Sequence, residues 1–172
     1  AFASLLTERL TMHDSHFNVR WSDPADRGAT ASGPPRNFEQ MMAQMRRDNY
    51  GFDAVERLDG NIGYLRMSFF APFDQEAKET PAARRVAEAA MAFIQGTEAV
   101  IIDLRQNGGG APGMVHLIFS HFLGAEPLLI NKFYNRQTDQ TIEFYSFDEI
   151  ANERRPTVPL YVLISGRTGS AA

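Results

Sequence analysis

AVIIDLRQNGGGAPG, residues Ala99 to Gly113, decides how this chain folds. An uninterrupted apolar run of strand length leads into Asp103, Arg105 and Asn107, then into Gly108, Gly109 and Gly110, and finally into an apparent helix start at Pro112. Such a run bounded by glycines suits a strand covered on both faces, as in a parallel sheet. Open α/β sheets bind ligands outside the carboxyl ends of their strands, so the triglycine turn is where a site is expected. Glycines there admit positive φ and let a ligand approach main-chain N–H groups, which suits an anion or a developing oxyanion. The same residues also read as a tight strand-to-helix turn without chemistry.

A second stretch points to chemistry. Pro159 to Ala172, PLYVLISGRTGSAA, predicts another buried strand, Leu160 to Ile164, followed by a small-residue turn that delivers Ser170 into the beginning of a helix. A serine at a strand-to-helix turn beside a glycine-rich loop is what an acyl-transfer enzyme needs. Asp103, Arg105 and Asn107 stand at the end of the first strand, where an unpaired polar group is costly. They are expected to pair with one another, brace the loop and so shape any oxyanion hole from behind.

These residues resemble a known family. DLRQNGGG (Asp103 to Gly110), the strand ending in TGSAA (Thr168 to Ala172) and the hairpin GNIGYLRMSFF (Gly60 to Phe70) are similar to the serine peptidases that include the carboxy-terminal processing (tail-specific) proteases, the tricorn core protease and the interphotoreceptor retinoid-binding protein modules. The likeness runs from about Leu5 to the end, with its three motifs in order. It implies an α/β fold of the crotonase/Clp-protease type, a twisted sheet flanked by helices and preceded by a small helical segment. It implies Ser170 as nucleophile, with an oxyanion hole formed by the backbone N–H of Gly109 or Gly110 together with that of Ala171. The tail-specific enzymes insert a PDZ domain before the GYLRM-type strand, whereas only 40 residues separate Trp21 from Ile62 here. On that count the chain is closer to the branch without a PDZ domain.

The base divides the branches. Tail-specific enzymes use a lysine after the serine, which would lie beyond Ala172, whereas tricorn-type enzymes use a histidine in a Ser-His segment, and Ser15-His16 stands where that motif falls. The resemblance thus makes His16 the expected general base. His13 and His16 also form an H-x-x-H pair, but with no third ligand evident no metal site is expected, and no cofactor is implied. His116 and His121 lie off the apolar stripe of their helix and are expected to be solvated.

Composition narrows the alternatives. With 17 basic against 21 acidic side chains the net charge is −4, and the basic residues are scattered, so no nucleic-acid partner is expected. No apolar run approaches a membrane span. The absence of cysteine excludes disulfides and thiolate metal sites. The partner implied is a peptide or protein substrate, and the setting implied by the family is extracytoplasmic and bacterial. The chain stops two residues after Ser170, which reads as a truncated domain, inactive as it stands.

Two other functions fit parts of the pattern. Retinoid-binding modules of the same fold carry apolar ligands without hydrolysis, and 13 phenylalanines could line such a pocket. Gly108, Gly110 and Gly113 formally match G-x-G-x-x-G, but the acidic residue that a dinucleotide site needs is missing from LLINKFYN. The G-x-S-x-G elbow of α/β-hydrolases is absent, since Thr168 and Ala172 occupy the glycine positions.

Along the chain, residues 1–48 read as a helical segment and linker, and 49–172 as the α/β core, incomplete at its carboxyl end. Phe2, Leu5, Leu6 and Leu10 predict a short amphipathic helix. Phe17, Val19 and Trp21 alternate as in a half-buried strand, and 23–35 reads as a loop. Asn37 with Gln40 suggests a capping box before a Phe38, Met41, Met42, Met45 stripe, read as ordinary core. Strands are expected at 51–58 and 62–70, joined at Asp59-Gly60. A helix is expected from Thr80-Pro81 with an Ala82, Val86, Ala89, Ala90, Phe93 face. Another is expected with a Val115, Ile118, Phe119, Phe122 stripe, followed by strands at 128–134 and 141–147.

Overall fold

A computed structural model describes residues 2–14, 17–21 and 38–172. The chain divides into two compact units, Ala1–Glu39 and Gln40–Ala172. In the first, α1 (Phe2–Thr11) forms as its periodicity predicts, with Phe2 and Leu5 exposed. Residues 17–21 form no strand: Val19 is held by the Thr7 hydroxyl, which accepts its N–H at 2.8 Å, and Trp21 is 80 % exposed. Alternation alone does not make a strand where no partner among the described residues offers a ladder. The Ser15-His16 pair and the Asn37 cap lie outside the described residues.

The second unit holds the α/β core. Helix α2 (Phe38–Arg47) leads into it, with Met45 packed on the core and Met41 exposed. Strands β1 (Phe52–Leu58) and β2 (Ile62–Met67) form an antiparallel hairpin whose turn places Gly60 and Asn61 at φ 79° and 58°, values these two residue types tolerate. Helix α3 (Ala82–Phe93) then crosses over to β3 (Ala99–Asp103), which lies parallel to β2 with Gly63 beside Val100. Helix α4 (Pro112–Ser120) follows the triglycine turn. Strands β4 (Leu129–Asn135) and β5 (Gln140–Tyr145) make a separate two-stranded sheet, and β6 (Leu160–Leu163) returns parallel to β3. The main sheet therefore runs β1-β2-β3-β6, a mixed sheet with helices packed on it.

The core gathers Leu65 and Met67 of β2, Val100 of β3, Ile94 beyond α3, and Met114 and Leu117 of α4, all fully buried. Four features differ from the sequence reading. Helix α3 begins at Ala82 with Pro81 extended at its cap, and it buries Ala83, Ala87, Ala90 and Met91, while Phe93 is 56 % exposed. Ala82 and Val86 still pack against the core, so the helix is rotated toward its small side chains and only its Phe93 side turns outward. His116 and His121 are 4 % and 1 % exposed rather than solvated. Helix α4 is covered on more than one side: the His116 ring lies tilted against Phe144 of β5, 5.6 Å between centroids, and His121 lies beside Asn152. Strand β6 is an edge strand, with Tyr161 and Val162 59 % and 48 % exposed. Residues 168–172 form a turn, not a helix.

The segment after β2 positions the triglycine loop. Gly108 N–H donates to the Ser68 carbonyl (3.3 Å), Phe70 N–H to that of Gly109 (2.9 Å), and Ala111 N–H to that of Phe70 (2.8 Å). At Gly110 φ is 139°, and a side chain there would lie 2.8 Å from Phe70 N and against its carbonyl oxygen, so only glycine fits the stitching.

Candidate active site

The structure brings the two predicted loops into contact. A Cβ placed on Gly109 would lie 2.5 Å from Ser170 Cβ, 2.8 Å from Gly169 O and 3.0 Å from Ala171 N. Gly109 has φ 100°, and Ser170 itself is left-handed at φ 56°, with its side chain exposed. The contact is pinned on both sides. Gly169 N–H donates to the Asn107 carbonyl (3.2 Å), Thr168 Oγ1 to the Leu104 carbonyl (2.7 Å) and Ser165 Oγ to the Arg105 carbonyl (2.6 Å). Three carbonyl anchors within the four residues after β3 therefore hold the turn that follows β6, and the parallel pairing of those strands delivers both loops to the same end of the sheet.

The loop amides are not equivalent. Gly109 N–H donates to Asn107 Oδ1 at 2.8 Å and is thereby engaged. The N–H groups of Gly110 and Ala171 have no hydrogen-bond partner among the described residues. Gly110, Ser170 and Ala171 line one cavity of about 440 Å³, together with Pro112, Val115 and His116 of α4 and Ile130, Asn131 and Phe133 of β4. Free backbone donors facing a cavity beside a hydroxyl can receive a carbonyl oxygen as it gains charge.

Asp103, Arg105 and Asn107 do different jobs. Asp103 is 2 % exposed, and its carboxylate accepts from Arg105 Nε (2.9 Å), Arg105 Nη2 (2.6 Å) and Tyr64 Oη (2.7 Å). Hydrogen bonding from Arg105 is the main reason that carboxyl is held far below the usual carboxylate range, against the opposing effect of burial, with Tyr64 adding to it. The same carboxylate raises the Arg105 guanidinium further, and burial, followed by Asp103, raises Tyr64. Asn107 is not part of this cluster. It is fully buried, its Oδ1 takes the Gly109 N–H, and its Nδ2 is without a partner among the described residues.

Two participants, Tyr64 and Asn131, carry no signal in the sequence, and a third, His116, reads there as solvated. Tyr64 reaches Asp103 because β2 and β3 run parallel with Tyr64 level with Ile101, which makes Asp103 its diagonal neighbour. His116 and Asn131 meet in the cavity only because the β4–β5 hairpin folds over α4, a long-range event without a local signal. Burial lowers the His116 pKa, so the ring is neutral at pH 7. His16 is not among the described residues.

A second cavity, about 280 Å³, is walled by side chains such as Ile102, Leu104, Val115, Phe119, Phe122, Val162 and Ile164. Val115, Phe119 and Phe122 of the sequence stripe thus line this groove, with Val115 and Phe122 also packed against the core and Phe119 exposed.

The model of peptidase family S41 matches residues 61–172, more than half of the chain. Among solved structures, a Bacteroides fragilis protein assigned to the S41 proteases is 20 % identical over 70 % of this chain and 33 % of its own, with a TM-score of 0.52, a likeness of fold. A Parabacteroides merdae protein assigned to the peptidases is 24 % identical over 74 % of this chain and 42 % of its own, with a TM-score of 0.49. The photosystem II D1 C-terminal processing protease is 21 % identical over 64 % of this chain and 25 % of its own, with a TM-score of 0.39. The chain spans less than half the length of each of these structures. The family match does not favour the apolar-carrier reading.

Proposed function

The chain belongs to peptidase family S41, and on that premise we propose that it carries the nucleophile and oxyanion-binding amides of a serine-type peptidase acting on peptides or proteins. Ser170 Oγ, giving its proton to the base, attacks the scissile carbonyl; the C–N bond breaks, the amine leaves with that proton, and water then hydrolyses the acyl-enzyme to release the acid and restore the serine. The carbonyl oxygen, as it becomes an oxyanion, is received by the N–H groups of Gly110 and Ala171. Gly109 is assigned a different task, since its N–H is held by Asn107; its lack of a side chain lets Ser170 approach. Asp103, Arg105, Tyr64 and Asn107 act as positioning residues behind the loop. The proton acceptor in this reading is His16, on the sequence pattern alone. An extracytoplasmic bacterial setting is part of the same proposal; among the described residues no helix is long and apolar enough to cross a membrane.

The observation that carries the reading is the packing of Ser170 against Gly109 with two unpartnered amides alongside. A fluorophosphonate probe with intact-mass and peptide-level readout tests it on the full chain. Stoichiometric labelling at Ser170, abolished by Ser170→Ala, is expected; no labelling under conditions that modify a control serine hydrolase would sink the proposal.

A further inference from the structure

The turn that joins α2 to β1 carries the longest left-handed run among the described residues: Asn49, Tyr50 and Gly51 have φ of 46°, 54° and 88°. Asparagine and glycine tolerate that region, whereas tyrosine enters it at a cost, and Tyr50 is held there by its burial in the core. The run seats Gly51 on the backbone that follows β2. Ser68 N–H donates to the Gly51 carbonyl (3.0 Å), and a Cβ on Gly51 would overlap the Phe69 carbonyl oxygen and lie 3.0 Å from its carbon. Ser68 is also pinned to β1, its Oγ donating to Asp53 Oδ1 at 2.9 Å. The next links lead to the loop beside Ser170: the Ser68 carbonyl accepts from Gly108 N–H, Phe70 N–H donates to the Gly109 carbonyl, and the Phe70 carbonyl accepts from Ala111 N–H. The Gly109 carbonyl and the Gly110 N–H belong to one planar trans peptide, so the bond that Phe70 makes to the first aims the second in the opposite direction.

We propose that Gly51 is a positioning residue for the oxyanion step, acting through Phe69 and Phe70 on the direction of the Gly110 N–H. The inference rests on the peptidase reading for its meaning and adds to that site a residue from outside both of its loops. With no side chain between Gly51 and Phe69, their contact sets how near the segment after β2 lies to β1, and hence where Phe70 presents its N–H. A side chain at Gly51 is opposed by both the overlap and the positive φ, so the Phe69 peptide must give way. The displaced Phe70 N–H then tilts or releases the Gly109–Gly110 peptide, and an oxyanion donor is effective only when its direction is set in advance. A left-handed tyrosine in a helix-to-strand connection persists only where the surrounding structure demands it, and the fixed seat of Gly51 is that demand.

The test uses the full chain and pairs two variants that carry the same backbone fault. Gly51→Ala and Gly60→Ala both place a side chain at positive φ (88° and 79°), but the carbon added at Gly60 meets only Ile62 Cδ1, at 4.0 Å. By NMR, the Gly108 and Ala111 amides of Gly51→Ala are expected to lose about tenfold in exchange protection and the Gly110 amide resonance to move, while Gly60→Ala leaves all three as they were. Fluorophosphonate labelling of Ser170 is expected to slow by about tenfold or more in Gly51→Ala alone, the scale of a misdirected oxyanion donor. Equal effects of the two variants, or a Gly51→Ala protein with Gly108, Gly110 and Ala111 unmoved, overturn the proposal. If Gly51→Ala does not fold, the unmodified chain decides: the Ser68, Phe70, Gly108 and Ala111 amides are expected to exchange through one opening with a shared urea dependence, and independent openings overturn the proposal. Amides that respond as expected in a chain whose Ser170 is never labelled refute the peptidase reading alone, and labelling that Gly51→Ala leaves intact refutes the positioning role alone.

Discussion

Gly109 is the residue that lets Ser170 take its place: the two α-carbons' neighbourhoods are so close that even a methyl on Gly109 would sit 2.5 Å from Ser170 Cβ. Since φ is 100° there as well, Gly109→Ala suffers both a clash and a disfavoured backbone. Expected outcomes are a loss of about 1–3 kcal/mol in denaturant unfolding and at least a tenfold drop in fluorophosphonate reactivity. Gly96→Ala is the control. No atom lies within 4 Å of that position's added carbon, so its stability should change by no more than about 1 kcal/mol in either direction.

Asn107 holds the Gly109 amide from a fully buried position. Asn107→Ala leaves that N–H without an acceptor and opens a space in the loop's support. A cost of about 1–3 kcal/mol is expected. Amide exchange should show Gly109 losing protection while the amides of β3 keep theirs; equal loss at both places would show that Asn107 supports the whole sheet and not the loop.

Asp103 makes stability depend on acid. Its folded carboxyl lies below the ordinary value of about 3.9, so the unfolded chain binds the proton more readily. The stabilisation is fully present above that ordinary value and is lost as pH falls below about 4. Asp103→Asn should therefore cost about 1–3 kcal/mol at pH 7 and progressively less at pH 4 and below. A gap between the two proteins that stays constant down to pH 2 would contradict the role given to the carboxylate.

His121 works at a different pH. Its Nδ1 donates to the Leu117 carbonyl at 2.9 Å, Nε2 lies 3.4 Å from Asn152, and burial lowers its pKa. Glu88 opposes that shift and Arg154 reinforces it. A buried neutral histidine takes up a proton only on unfolding, so stability is intact above about 6.5 and declines as pH falls below it. His121→Gln should flatten the slope of unfolding free energy between pH 6.5 and 5, whatever its effect on absolute stability.

Much of this arrangement could be read before any coordinates, and the reasons are local. The Asp59-Gly60 turn, the apolar run before Asp103 and the glycine punctuation after it each carry their conformational preference in a few adjacent residues. The approach of Ser170 to the glycine loop follows from two parallel strands ending at one edge. What stayed hidden depends on distant partners. The burial of His116 and His121 requires the hairpin and the 152–155 segment to fold over α4, which no periodicity within α4 announces. Helix α3 keeps Ala82, Val86 and Ala90 of its expected face against the core, but turns Phe93 outward and buries Ala83, Ala87 and Met91, a rotation that hydrophobicity alone does not rank. Which glycine amide is free also needed the side chain of Asn107 in place.

The left-handed backbone of Ser170 carries a thermal consequence. That conformation costs an L-residue roughly 1–2 kcal/mol, and the turn's own sequence offers nothing in return. It is imposed by the anchors on Leu104, Arg105 and Asn107. On warming, the turn should slacken into its relaxed form while the sheet is still intact, because local openings need less free energy than global ones. Fluorophosphonate reactivity at Ser170 is then expected to fade some degrees ahead of the cooperative melt and to return on cooling, so that heating begins with a reversible loosening of this turn and only later reaches unfolding.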